Sequence, residues 1–190
     1  MTELYHERLL IRTAREAEAG EIARLNNIFA DEHLMLRRTP DQIALTIDDF
    51  VVAVDARGRI MACGALKEYS PSVAEVAAIA VAKERQGNGL GREIVAAVEA
   101  LAIKRGILHV FALTLQPKFF ESIGYQRVDR ARYPEKIRRD CLGCARRFAC
   151  NEICFARNLL IEEEAPEAPA EQTGRTGGVV IGSIMPAHAA

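Results

Sequence analysis

The sequence has 190 residues, a formal net charge of −1 and 27% charged residues of both signs. This length suffices for one domain with a core that needs no disulfides, and the near-neutral charge excludes an overall field that attracts nucleic acid or anionic membranes. No run of about 18 apolar residues is present to span a bilayer, and residues 1–7 lack the pattern of a signal peptide. We therefore expect a cytoplasmic protein that binds neither nucleic acid nor a membrane and in which any anion site is local.

The first elements are a strand and two helices. Residues 9–11 predict a short strand, and apolar residues at helical spacing over 16–29 predict the first helix. Thr39, Pro40 and Gln42 have the pattern of a second helix start, since they supply a capping hydroxyl, a proline at the first position and a capping-box glutamine.

The rest of the domain consists of apolar runs separated by turn residues. We predict strands at 50–54, 60–66, 75–81 and 109–115, and helices at 90–104 and 118–123. The run 75–81 is apolar on both faces, as is usual for a central strand covered by helices on each side. This order predicts an α/β (α+β) fold with a partly antiparallel sheet.

The composition changes near residue 162, where Glu, Ala and Pro residues precede a segment rich in Gly and Thr. Such a segment has too few core-forming residues to offset the entropy lost on ordering. We therefore expect one folded domain over 1–161 and a disordered tail over 162–190.

A glycine-rich loop follows the predicted central strand and precedes the helix that contains Arg92. Its residues are Gln86, Gly87, Asn88, Gly89, Leu90 and Gly91. Such a loop directs backbone N–H groups and the positive end of the helix dipole at one point. Glycines also let the backbone approach an anion without interference from a Cβ atom. The loop therefore predicts a phosphate or pyrophosphate site.

Other glycine-rich motifs fit this loop less well. A Walker loop ends in Gly-Lys-Ser/Thr, whereas this loop ends in Gly91, Arg92 and Glu93. A Rossmann loop normally lies in the first βα turn of a parallel sheet, whereas this one lies mid-chain after a hairpin. A glycine-rich turn without a ligand is the remaining alternative, and the flanking strand and helix favour the phosphate site.

The loop resembles the Q/R-x-x-G-x-G/A acetyl-CoA motif of the GNAT N-acetyltransferase superfamily. Residues 75–81 look like the central strand of that family, and residues 119–125 look like its late F-Y-x-x-x-G-F helix. The similarity covers roughly residues 9–160 in the expected order. It implies a GNAT-type acetyltransferase fold, with a mixed central sheet flanked by helices on both faces, and acetyl-CoA as cosubstrate.

The resemblance also implies roles for particular residues. Glu75 matches the position of the catalytic base, which usually acts through water, although an ordinary strand-edge carboxylate is the alternative. The backbone at Ile79, Ala80 and Val81 would hold the pantetheine arm and polarise the thioester carbonyl, where the central strand separates from its neighbour. The glycine-rich loop would bind the pyrophosphate.

One position departs from the common family pattern. Phe120 stands where many members have a tyrosine that protonates the departing thiolate, and a phenyl ring has no proton to donate. Solvent or another residue such as Tyr133 would then supply the proton, or the thiolate would leave unassisted, since a thiol with a pKa near 8.5 is a fair leaving group.

A finer resemblance is to the acetyltransferase domain of N-acetylglutamate synthase in its short stand-alone form. The residues that carry it are 36–39, 62–67, 75–81, 111–114 and the Phe119–Phe120 pair. It implies an amino-acid N-acetyltransferase that acetylates the α-amine of glutamate in the first step of arginine biosynthesis. The carboxylates of glutamate favour arginine or lysine partners. Arg38 matches the substrate-side arginine best, and Lys67, Lys136 and Arg138 are weaker candidates.

Other functions stay open at this point. The acceptor is another amino acid, a polyamine or a protein N-terminus in one alternative, although Arg37 and Arg38 argue against cationic polyamines. In another, the protein is a non-catalytic acetyl-CoA or metal sensor. The oligomeric state is also open, with a homodimer among the options.

Four cysteines follow the late helix with the spacing C-x2-C-x5-C-x3-C: Cys141, Cys144, Cys150 and Cys154. Four thiolates suit zinc or an iron–sulfur cluster, and free or redox-active thiols are the equal alternative, ahead of disulfides. We expect nearby arginines to lower the thiol pKa values, namely Arg138, Arg139, Arg146 and Arg147. Cys63 stands apart in an apolar strand and is expected to be a core residue.

Overall fold

One mixed sheet forms the centre of the protein in the computed structural model, which describes residues 9–159. Its strands are β1 (Leu10–Thr13), β2 (Phe50–Val54), β3 (Ile60–Ser70), β4 (Val73–Val81), β5 (His109–Thr114), β6 (Gln126–Arg127) and β7 (Ile153–Asn158), in the order β1-β2-β3-β4-β5-β7-β6. All neighbours pair antiparallel except β4 and β5, which are parallel. The predicted tail over 162–190 lies outside the described residues.

Helices flank this sheet. They are α1 (Ala19–Asp31), α2 (Pro40–Ala44), α3 (Leu90–Lys104), α4 (Pro117–Ser122) and α5 (Pro134–Lys136), and α5 continues into a π-helical turn, Ile137–Cys141. The start of α2 is confirmed as a capping box, since Thr39 Oγ1 accepts from the N–H of Gln42 at 3.2 Å and Gln42 Oε1 accepts from the N–H of Thr39 at 2.9 Å. Within residues 9–159, no helix combines the length and the hydropathy that a membrane span requires.

Helix α3 packs closely on β3 because β3 has a glycine beneath it. A Cβ atom built on Gly64 would lie 2.7 Å from Ile79 Cδ1 and 2.7 Å from Ile94 Cγ2. Ile79 Cδ1 is the end of a side chain that can move, but Ile94 Cγ2 is bonded directly to the Cβ of a fully buried helix residue. Gly64 therefore sets how near α3 lies to the sheet.

Helix α1 covers the opposite face of the sheet. Side chains of adjacent strand residues point to opposite faces, so Cys63 points away from the face on which Gly64 meets α3. The positive charge of Arg38 acts on the Cys63 thiol, and the backbone of Arg38 is bound by Asn27 of α1. Helices therefore lie on both faces of the sheet, as the apolar pattern of 75–81 predicts.

Strand β4 contains a bulge near its centre. Cys63 pairs with Ala80 but Ala65 pairs with Ala77, so β4 advances three residues while β3 advances two. Ala78 in the extra step has a φ of 54°, which is unusual for a residue other than glycine. The bulge turns Ile79 to the α3 face, whereas Glu75 stays on the opposite face.

Strands β4 and β5 separate beyond the bulge. Their register pairs Val73–Glu75 with His109–Phe111, and no further pairs are present within the described residues. The β4 edge from residue 76 onward is therefore left open toward β5. This wedge confirms the predicted separation of the central strand from its neighbour.

Replacing Gly64 tests the packing of α3. We expect Gly64→Ala to lower the free energy of unfolding by about 1–3 kcal/mol, because the added methyl group overpacks the contact with Ile94. Gly20→Ala in α1 is the control, since a Cβ there meets nothing within 4 Å. Urea denaturation should show that Gly20→Ala is neutral or stabilising, and equal losses in the two variants would contradict the packing argument.

Candidate active site

The glycine-rich loop has the backbone geometry of an anion site. Gly87 and Gly89 have φ values of 80° and 84°, which favour glycine, and Gly89 caps the start of α3. Gly89 O accepts from the N–H of Arg92 at 2.9 Å, so the preceding N–H groups of the first turn have no acceptor inside the helix. Gln86 Nε2 donates to Val81 O at 3.0 Å and ties the loop to the end of β4.

The β4 edge of the wedge offers a backbone donor next to this loop. The N–H of Ala82 donates to Met61 O of β3 at 2.8 Å, and the backbone groups of neighbouring strand residues point to opposite edges. The N–H of Val81 therefore faces the wedge. Ile79 turns its side chain to α3, and Ala80 is buried in the core. A loop with the geometry of an anion site and an open strand edge thus lie next to each other, which is the arrangement predicted for acetyl-CoA.

The two phenylalanines of α4 have different surroundings. A Cβ built on Gly91 would lie 3.3 Å from the Phe119 ring, so a larger residue there would displace the ring by a few tenths of an ångström. Phe120 is buried, with ring centroids 5.1 Å from Tyr125 and 6.2 Å from Phe155. Phe120 is therefore a core residue.

Tyr133 has a partner of its own. Its hydroxyl contacts His109 Nε2 at 2.9 Å, and its ring stacks on Phe111 with centroids 3.9 Å apart. His109 pairs with Val73, two residues before β4 and β5 separate. Burial raises the pKa of Tyr133 to about 12. The Tyr133 hydroxyl, a candidate proton donor to the departing thiolate, therefore lies where β4 and β5 are still paired.

Glu75 lies in a buried cluster on the face opposite α3. The residue is only 4% exposed, and its Oε2 accepts from the Tyr69 hydroxyl at 2.9 Å and from Lys136 Nζ at 2.8 Å. Its Oε1 accepts no hydrogen bond from the described residues and is not sealed from solvent. One carboxylate oxygen therefore remains available to a water or an amine.

Asp140, which the sequence analysis missed, is the second carboxylate of this cluster. Lys67 Nζ donates to its Oδ1 at 2.8 Å and to its Oδ2 at 2.7 Å, and Lys136 Nζ donates to Oδ2 at 3.0 Å. The Tyr69 hydroxyl also contacts Oδ2. The spacing of four residues between Lys136 and Asp140 on a helix is a signal that could have indicated part of this cluster.

The cluster fixes the charges of its members. Burial raises the pKa of Asp140, but hydrogen bonds from Lys67, Tyr69 and Lys136 outweigh burial and lower it below the usual range. Burial lowers the pKa of Lys136, but the charge and hydrogen bond of Glu75, together with Asp140, raise it overall. Burial, Glu75 and Asp140 all raise the pKa of Tyr69. At neutral pH, Asp140 is therefore ionised, Lys136 is charged and Tyr69 keeps its proton.

Arg38 differs from the other predicted substrate cations. Asn27 binds its backbone twice, since the N–H of Arg38 donates to Asn27 Oδ1 at 3.0 Å and Asn27 Nδ2 donates to Arg38 O at 2.9 Å. Its guanidinium group has no hydrogen-bond or ion-pair partner within the described part of the chain. Lys67 and Lys136 are paired with acids, and exposed Arg138 is paired with Glu135.

The cysteines do not form the predicted metal site. All five are free thiols, and within residues 9–159 no three His, Cys, Asp or Glu side chains are arranged to hold a metal ion. Cys154 is buried among Phe111, Tyr133 and Ala156 on β7, so it does not join the thiols of the preceding loop. The structure gives no support to zinc or an iron–sulfur cluster at Cys141, Cys144, Cys150 and Cys154.

The expected effect of the nearby arginines is wrong for two of these thiols. Burial raises the pKa of Cys141 despite Lys136 and Arg130, and burial raises the pKa of Cys154 to about 12. Cys63 is confirmed as a core residue, because it is fully buried and burial raises its pKa to about 12.

Comparisons with known proteins agree with this geometry. The family described as "Acetyltransferase (GNAT) domain" matches residues 46–127. An uncharacterized N-acetyltransferase of Chlorobaculum tepidum is 38% identical over 149 residues, which cover 78% of this chain and 96% of that protein. An amino-acid acetyltransferase of Mycobacterium tuberculosis is 27% identical over 124 residues, which cover 64% of this chain and 71% of that protein.

A solved structure is similar over most of the chain. It is N-acetylglutamate synthase from Neisseria gonorrhoeae, complexed with coenzyme A and N-acetyl-glutamate, with a TM-score of 0.73 and 26% identity. The match covers 81% of this chain and 36% of that chain. An open β4 edge beside a glycine-rich helix start defines an acetyltransferase that uses acetyl-CoA. The chain belongs to the GNAT family and is an acetyl-CoA-dependent N-acetyltransferase.

Replacement of Asp140 tests the electrostatics of the cluster. The pKa of Asp140 is lower in the folded protein than in the unfolded chain, where about 3.9 is usual. Its contribution to stability is therefore present above pH of about 4 and is lost as the pH falls further. We expect Asp140→Asn to lower the free energy of unfolding at pH 7 by about 1–3 kcal/mol, and by less below pH of about 4.

Urea denaturation at both pH values measures this difference. Asp48→Asn is the matched control, since Asp48 is exposed and should change stability by less than about 0.5 kcal/mol at either pH. A loss for Asp140→Asn that is the same at both pH values would contradict the electrostatic argument.

Proposed function

We propose that this protein transfers the acetyl group of acetyl-CoA to the α-amine of an amino acid, with glutamate as the preferred acceptor, in the first step of arginine biosynthesis. The observation that carries the proposal is a buried Glu75, on the sheet face opposite α3, whose Oε1 accepts no hydrogen bond from residues 9–159. The similarity to proteins named amino-acid acetyltransferase and N-acetylglutamate synthase supports it.

The cosubstrate would be held by main-chain groups. The loop from Gln86 to Gly91, with Asn88 at its tip and Leu90 and Arg92 in the first turn of α3, would bind the pyrophosphate through N–H groups. The open β4 edge at Ile79, Ala80 and Val81 would hold the pantetheine arm, and the N–H of Val81 would polarise the thioester carbonyl. Acetyl-CoA supplies the activated acyl group.

Glu75 would act as the general base. An α-amine has a pKa of about 7.7–8.0, so most of it is protonated at neutral pH and must lose a proton before attack. The free Oε1 of Glu75 is the atom placed to take that proton, directly or through one water. Lys136 and Tyr69 both bind Oε2, so they hold the carboxylate without blocking Oε1.

Arg38 would bind the α-carboxylate of the acceptor. Its guanidinium is unpaired among the described residues, and the Asn27 clamp fixes the backbone from which it extends. An arginine forms two parallel hydrogen bonds with a carboxylate, which orients the adjacent amine.

A second candidate acceptor is an amino acid with an uncharged side chain. Glutamate carries a second carboxylate that favours another cation, but Asp140 engages both Lys67 and Lys136. An acceptor with a single carboxylate would need Arg38 alone. Glutamine and other neutral amino acids are therefore the acceptors to compare with glutamate.

The sensor alternative loses its proposed metal switch, because the cysteines do not assemble a metal site in the described residues. The cytoplasmic location and the homodimer stay predictions.

An acceptor screen tests the function. We expect purified protein with acetyl-CoA to release free CoA faster with glutamate than with any other amino acid, followed by release of an equal amount of N-acetylglutamate. Thiol detection and mass spectrometry measure the two products. Faster turnover with glutamine would establish the second candidate, and turnover only with an amine that lacks a carboxylate would exclude both.

Loss of Arg38 should weaken acceptor binding selectively. We expect Arg38→Ala to raise the KM of the amino acid roughly 10- to 100-fold, because hydrogen bonds to charged groups contribute about 1.5–3 kcal/mol. The KM of acetyl-CoA should stay unchanged. Arg37→Ala is the matched control, since Arg37 is exposed and paired with Asp31. A similar rise in both variants, or in neither, would remove Arg38 from the acceptor site.

A further inference from the structure

The hydroxyl of Tyr69 lies between two carboxylates. Its oxygen is 2.9 Å from Glu75 Oε2 and also contacts Asp140 Oδ2. A phenolic hydroxyl has one hydrogen, so it donates to only one carboxylate at a time. At the other contact, the Tyr69 oxygen and a carboxylate oxygen face each other as two acceptors unless that carboxyl group carries a hydrogen of its own.

Two hydrogen-bond arrangements follow. When Glu75 is ionised, the Tyr69 hydroxyl can donate to it, and the lysines satisfy Asp140. When Glu75 carries a proton, its O–H can donate to the Tyr69 oxygen, and Tyr69 donates to Asp140. The second arrangement leaves no acceptor facing another acceptor, and it requires Asp140 as its last member.

Charged groups around the cluster act on both carboxylates. Asp140 accepts two hydrogen bonds from Lys67 and one from Lys136, which keep it ionised. Glu75 accepts one from Lys136. The guanidinium of Arg139 lies 4.9 Å from the Tyr69 ring centroid, and the Cys154 thiol of β7 stays neutral because burial raises its pKa to about 12. Asp140 therefore stays an acceptor for the Tyr69 hydroxyl.

We propose that Asp140 is a positioning residue that acts through the Tyr69 hydroxyl to stabilise Glu75 in its protonated form. The proposal rests on the proposed role of Glu75 as the base. In this step an N–H bond of the acceptor ammonium breaks and an O–H bond forms at Glu75 Oε1, and a half-turn of the carboxyl group brings that O–H to the Tyr69 oxygen. The Tyr69 O–H then turns from Glu75 to Asp140, and Tyr69 keeps its proton throughout. The proton leaves Glu75 to solvent after acetyl transfer.

A double-mutant cycle tests the link. The four proteins are wild type, Asp140→Asn, Tyr69→Phe and the double variant, each assayed over pH with the best acceptor found in the screen. We expect Asp140→Asn to lower kcat on the order of tenfold and to move the acid limb of the pH–rate profile to lower pH, because the ionised form of Glu75 is then favoured. The KM of acetyl-CoA should not change.

The hydroxyl link is isolated by the Tyr69→Phe background. Loss of the Asp140 charge also acts on Glu75 through space and through the lysines. That part of the shift in the pH–rate profile remains when the Tyr69 hydroxyl is absent. We expect the shift caused by Asp140→Asn to be several-fold smaller when Tyr69 is phenylalanine. Equal shifts in both backgrounds would overturn the proposal, as would a lower Tm and a higher KM without any shift of the acid limb.

Two further variants separate the possible failures. Asp140→Glu keeps the acceptor group and should restore most of the wild-type profile, whereas Asp140→Ala removes it and replaces Asp140→Asn in the cycle if that variant does not fold. Glu75→Gln should slow turnover mainly at low pH, where the amine is protonated. An unchanged profile in Glu75→Gln refutes the base role, whereas a changed profile with an additive cycle refutes only the link through Tyr69.

Discussion

The separation of β4 from β5 is the constraint on which the site depends. A parallel pair that ends at Glu75 leaves the rest of β4 open along one edge, and the bulge at Ala78 turns the side chains beyond it. The same strand leads into the loop that starts α3, and Gly64 lets α3 pack closely over it. One interruption of pairing therefore provides the open edge, the backbone donor at Val81 and the anion-binding helix start.

The cluster around Glu75 pairs two lysines with two acids. Lys67 and Lys136 balance Glu75 and Asp140, and Tyr69 lies between the two carboxylates. Buried charges are costly unless they are paired, and this arrangement pairs all four, while Oε1 of Glu75 accepts no hydrogen bond from the part of the chain that the structure describes. The same pairing engages both lysines with acids, and in the proposed function the arginine of the α1–α2 connection binds the carboxylate of the acceptor.

Much of the fold could be predicted because its signals are local. The capping box at Thr39, the apolar stripe of α3 and the run of β2 are short patterns, and the structure confirms them with bounds that agree within a residue. Strand β7 and the helical segment from Pro134 to Cys141 were missed. Their sequence is rich in arginine and cysteine, and β7 becomes a strand by pairing with β5 some 40 residues earlier in the chain, a non-local contact that periodicity does not reveal.

The sequence by itself determined the family, the loop from Gln86 to Gly91 and the place of Glu75 on the central strand, since these depend on residues close together in the chain. Only the tertiary structure decided that Asp140 meets Lys67, 73 residues away, and that Tyr133 binds His109. It also decided that Cys154 faces a core of aromatic rings instead of the other thiols. Spacing limits which side chains can meet along one element, but the docking of one element on another decides which of them do.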